Sequence, residues 1–137
     1  MRTPLGKGQI LSLCFDLGGI YDNNRSSAMT DFIKAQFGVL FPRPIARVSG
    51  SSYAELTVTE GRGHIFLHVL NHGGPHELAS VRAYGELPHP GPITVHLDLP
   101  GAPKRITVQP EGRVWERDPT AVVLDRLEIH TIIDIEM

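Results

Sequence analysis

Residues 53–71 constrain the fold more than any other stretch. Tyr-Ala-Glu-Leu-Thr-Val-Thr-Glu is followed by Gly-Arg-Gly and then by His-Ile-Phe-Leu-His-Val-Leu-Asn. Two alternating runs around a short glycine turn predict a β-hairpin. Successive side chains of a strand point to opposite faces. Ile65, Leu67 and Val69 therefore share one face of the second strand, and His64, Phe66, His68 and Leu70 share the other.

Most of the chain after the hairpin has the same period of two. Residues 93–99 alternate cleanly and turn Ile93, Val95, Leu97 and Leu99 inward. Further strands are predicted over 105–110, 114–117, 120–125 and 128–136, with a short edge strand at 80–84. In the last of these, His130, Ile132, Asp134 and Glu136 face one way, and Ile129, Thr131, Ile133 and Ile135 the other. A short strand at 45–48 precedes the hairpin. Gly and Pro, 14 and 11 in number, punctuate this region as turns between short strands require. The pattern predicts an antiparallel β-sandwich over residues 42–137.

The first 41 residues read differently. The apolar run at 9–15 has no polar alternation, which predicts a strand buried on both faces, as in a parallel sheet. Asp16-Leu17-Gly18-Gly19 reads as its exit into a loop. Ala28, Met29, Phe32, Ile33, Phe37 and Leu40 then recur at helical spacing, predicting one amphipathic helix over 26–37 with this stripe in a core. Ser26 or Asn24 is the expected N-cap, Gly38 the stop, and Pro42 and Pro44 prevent continuation. The fold class is mainly β: an antiparallel β-sandwich preceded by one strand and one amphipathic helix left from an α/β domain.

Thirteen basic and 15 acidic residues give a net charge of −2 and form no stripe, which argues against nucleic acid as a partner. No apolar run reaches the length of a membrane span, and no signal peptide is legible at the start. The single cysteine, Cys14, lies inside the first apolar run and reads as a buried small hydrophobe. A cytoplasmic location is the expectation.

His64, His68, His72 and His76 recur at every fourth position, the spacing of a helical zinc pair. Their surroundings are strand and glycine-rich loop. On a strand, His64 and His68 stand roughly 13 Å apart at about 3.3 Å per residue, too far for one ion. No metal site and no cofactor are expected. His72, His76 and Glu77, with Asn71, can meet in a loop as a carbohydrate contact. Trp115 is the other carbohydrate-binding candidate, provided that its ring is exposed as a stacking platform. His130 is expected to be partly exposed and paired with a carboxylate. Neither Gly6-Lys7-Gly8 nor Gly61-Arg62-Gly63 sits between a strand and a helix as a phosphate loop must. No pair of carboxylates stands in a hydrolase motif, so no catalytic residue is assigned.

Gly6-Lys7-Gly8-Gln9-Ile10, the apolar run and Phe15-Asp16-Leu17-Gly18 resemble the last strand of an amidotransferase-like, flavodoxin-like domain. That is the trimerisation domain after the catalytic barrel in glycoside hydrolases related to bacterial β-galactosidases. The remainder resembles the C-terminal β-sandwich of those enzymes and of hypothetical glycosyl hydrolases and fucosidase-like proteins. This likeness is carried by residues 68–71, 91–95, 103–110 and 127–136. A departure falls at Arg117-Asp118-Pro119-Thr120, where such chains have a turn such as Asp-Gly.

The resemblance implies a non-catalytic accessory domain of a carbohydrate-active enzyme, supporting domain packing or oligomerisation, with the catalytic acids outside this chain. Its partners would be the remainder of a larger enzyme or a self-associating copy, and an apolar patch near Leu11, Leu13 and Phe15 would be exposed without one. The alternative is a carbohydrate-binding module that takes a glycan. A free-standing hydrolase ranks last.

Overall fold

The computed structural model describes residues 1–24, 26–73 and 87–137, Asn24 by its backbone only. His76, Glu77 and the strand expected at 80–84 lie outside the described residues. The chain divides into two compact units, Met1–Pro44 and Ile45–Met137.

The first unit opens with a hairpin, β1 (Arg2–Leu5) against β2 (Gly8–Leu11), turning at Gly6 with φ 57°. Two helices follow, α1 (Leu17–Asn24) and α2 (Ser27–Leu40). This corrects the expectation of one strand and one helix. The apolar run does not form a strand buried on both faces. Only its start is extended, its partner is antiparallel, and Cys14 is exposed. An apolar run reports hydrophobicity and not what covers it.

Helix α1 was hidden by Gly18 and Gly19, poor helix formers. It begins because Asp16 caps it, its Oδ1 accepting the Gly19 amide at 3.0 Å. Ser26 caps α2, accepting the Met29 amide at 3.3 Å. Gly38 lies within α2 rather than ending it, and the helix closes at Phe41, whose amide bonds the Phe37 carbonyl at 2.7 Å ahead of Pro42. No residue of α2 is buried, and Phe37 is 61% exposed, so the apolar stripe is not core.

The second unit is a β-sandwich of antiparallel strands. Its strands are β3 (Ala46–Ser49), β4 (Ala54–Gly61), β5 (His64–Asn71), β6 (Ile93–Leu97), β7 (Arg105–Gln109), β8 (Arg113–Val114), β9 (Ala121–Leu124) and β10 (His130–Glu136). One sheet has the order β4-β5-β10-β7-β8, the other β3-β6-β9. The predicted hairpin is β4–β5. Its turn residues Arg62 and Gly63 have φ of 54° and 81°, the doubly positive pair whose twist matches the flanking strands.

Register builds the core. Leu67 pairs with Ile133, and Ile133 with Val108; Ile65 pairs with Ile135, and Ile135 with Ile106. These six residues are at most 4% exposed. From the other sheet, Val95 pairs with Val122 and Ile93 with Leu124, all buried in the same cluster. Ile129 has the parity of this face but precedes β10, and it is 66% exposed.

Candidate functional site

The outer face of the five-stranded sheet concentrates the ionisable groups. The residues between the buried ones on β5 and β10 are polar or half-buried: His64, Phe66, His68 and Leu70 on one strand, Ile132, Asp134 and Glu136 on the other. Register sets Glu136 opposite His64, Asp134 opposite Phe66 and Ile132 opposite His68. Across β7, Thr107 pairs with Asp134 and Arg105 with Glu136.

Two histidine pairs result. His64 Nδ1 lies 2.7 Å from Asp134 Oδ1, and its ring runs parallel to that of Phe66 with centroids 5.7 Å apart. With Arg105, Thr107 and Glu136 this pair lines a small cleft of about 130 Å³. Asp134 and Glu136 lie on one strand rather than on opposed walls, so the cleft does not set two carboxyls across a substrate. The second pair is His68 Nδ1 to His130 Nε2 at 3.2 Å, with Thr59 Oγ1 3.2 Å from His68 Nε2. His130 thus meets a histidine instead of the carboxylate expected for it. The strand parities were legible, whereas the pairing of residues 62 apart depended on register.

Trp115 is not an open platform. Its side chain belongs to the core cluster at 8% exposure, its indole N–H donates to the Asp118 carbonyl at 2.9 Å, and the Arg113 and Arg117 guanidinium carbons lie 5.3 and 5.6 Å from its ring centroid. The unfamiliar turn beside it is held by Asp118, whose Oδ1 accepts the Thr120 amide at 2.8 Å and the Thr120 hydroxyl at 2.6 Å. These two bonds, the hydroxyl's being the larger cause, hold the Asp118 carboxyl below the usual aspartate range.

His72 lies 2.9 Å from Glu55 across the hairpin. Asn71 reaches elsewhere, donating to the Pro88 carbonyl at 2.7 Å and accepting the Gly73 amide at 2.8 Å. His89 meets Glu128 at 3.1 Å, and the Arg126 guanidinium beside Glu128 holds that carboxyl low. Among the described residues no group of three or more His, Cys, Asp or Glu side chains is arranged to hold a metal ion, and no helix is long and apolar enough to cross a membrane.

The first unit carries its own groove, of about 890 Å³, lined by Arg2, Lys7, Gln9, Phe37, Val39 and Phe41 among others. Its lining mixes apolar side chains with two basic ones.

No protein-family model and no curated protein sequence matches the chain. Among solved structures, alpha-L-fucosidase isoenzyme 2 from Paenibacillus thiaminolyticus is similar, with a TM-score of 0.73 over 98% of this chain at 13% identity. The chain spans about a fifth of that protein, 21% of its length. The likeness is one of fold: the chain has a fold related to part of a glycoside hydrolase.

Proposed function

We propose that this chain is a non-catalytic accessory domain of a carbohydrate-active enzyme. In this reading residues 42–137 are a C-terminal β-sandwich, and residues 1–41 are the end of a flavodoxin-like, amidotransferase-like domain. The remainder of that larger enzyme is the partner. The observation that carries the reading is the fold likeness: nearly the whole chain matches, but it accounts for 21% of a fucosidase.

A second observation supports it. None of the described residues in the first unit is buried, and Leu5, Phe37 and Phe41 are 65%, 61% and 69% exposed. Two helices and a two-stranded hairpin with no buried side chain lack the burial that holds elements of this size together. Neighbouring protein would supply it. The glycan-binding alternative has less behind it, because Trp115 lacks an open face.

The test is the mass of the native product in its source cells, read with an antibody to this chain, together with assays of the purified chain on a panel of aryl glycosides that includes an α-L-fucoside. A band several times heavier than 15.1 kDa and no turnover are expected. A product of 15.1 kDa that exists by itself, or glycoside turnover by the purified chain, would refute the reading.

A further inference from the structure

We propose that His68 and His130 form a two-imidazole site for a divalent ion of the zinc class on the outer face of the five-stranded sheet. Three observations lead there. First, the two nitrogens, His68 Nδ1 and His130 Nε2, are 3.2 Å apart. Two nitrogens bound tetrahedrally to zinc at 2.0–2.1 Å are separated by about 3.3–3.4 Å. The donors already stand at nearly the spacing an ion requires.

Second, the rings meet edge to edge. Their centroids are 5.4 Å apart with planes 20° from parallel. That separation exceeds the nitrogen separation by nearly the two ring radii, so the nitrogens lie close to the line between ring centres. Binding then needs each ring to swing about its terminal torsion, a broad and soft coordinate for histidine. The hydrogen between the two nitrogens moves to His130 Nδ1 through solvent as the ion takes its place.

Third, the supporting group is present. Thr59 Oγ1, 3.2 Å from His68 Nε2, accepts the ring hydrogen in the tautomer that leaves Nδ1 bare. Such a partner sets the tautomer of a metal-bound histidine, and the Thr59 hydroxyl follows the ring as it swings. His64, His72 and His89 each face a carboxylate instead, Asp134, Glu55 and Glu128. Imidazole donors suit zinc and copper. Two protein ligands leave the remaining positions to water.

An ion held this way would tie β5 to β10. Calorimetric titration of the untagged full chain with Zn²⁺ should show one ion bound and a saturable rise in melting temperature. His68→Ala and His130→Ala should each weaken binding at least tenfold, Thr59→Val about tenfold, and His96→Ala not at all. On the unaltered chain, substoichiometric Cu²⁺ should broaden the ring signals of His68 and His130 before those of any other histidine. Absence of binding at millimolar Zn²⁺, binding that survives both His→Ala changes, or broadening that begins at another histidine would overturn the proposal.

Discussion

The indole N–H of Trp115 donates to the backbone carbonyl of Asp118 at 2.9 Å, so the chain's only tryptophan is spent on holding a turn. Trp115→Phe keeps most of the buried ring and loses the donor. We expect a loss of about 1 kcal/mol, and about 3–5 kcal/mol for Trp115→Ala, in urea unfolding. No loss for Trp115→Phe would show that the bond contributes nothing.

The same turn sets a pH dependence. The Asp118 carboxyl titrates below its ordinary range when folded, because Thr120 hydrogen-bonds its charged form. Its contribution to stability is therefore present above the unfolded pKa and is lost as pH falls through the lower folded value. Thr120→Val removes the hydroxyl donor and should move the Asp118 midpoint upward in an NMR titration of side-chain carboxyls. An unmoved midpoint would contradict the assignment.

Backbone conformation is equally testable. Gly50 has φ 103°, and a side chain there would run into the Pro92 carbonyl, at 3.2 Å also from the Ile93 Cα. Gly50→Ala combines a strained dihedral with a backbone clash, and we expect a cost of at least about 1–2 kcal/mol. At Arg62, also at positive φ, Arg62→Asn should be neutral or stabilising by a few tenths of a kcal/mol, since Asn tolerates that region. Chemical denaturation of both variants reads the contrast.

The two faces of the β4–β5 hairpin should respond differently to truncation. Leu67 is fully buried, and Leu67→Ala should cost about 2–5 kcal/mol. Thr57 stands exposed on the outer face opposite His68, and Thr57→Ala should fall within about 0.5 kcal/mol of the unaltered chain. Comparable losses at the two positions would mean that the register or the facing is wrong.

The two units should also differ in autonomy. Residues 45–137 contain the entire buried apolar cluster, whereas no described residue of 1–44 is buried. A fragment of residues 45–137 should unfold cooperatively by itself, and a peptide of residues 1–44 should show little helix by circular dichroism. Cooperative unfolding of the short peptide would show that its elements need no cover.

The period-two pattern by itself determined the antiparallel sandwich. From alternation alone Ile65, Leu67 and Val69 read as sharing one face and Ile93, Val95 and Leu97 as facing inward; all six are buried, because a strand's two faces are fixed by geometry before any partner is chosen. The Arg62-Gly63 turn was legible for a similar reason: glycine at such a position is a local requirement.

Tertiary structure decided the rest. Alternation placed His68 and His130 on definite faces of their strands, but only pairing of β5 with β10 brought the two nitrogens within 3.2 Å. Trp115 could not be located from its polar neighbours, since its burial depends on the packing of the two sheets and on a carbonyl three residues away. The first apolar run failed as a guide because hydrophobicity expresses a tendency to be covered without naming the cover. Local geometry is a property of the chain, whereas register, packing and cover are properties of what each strand and helix meets.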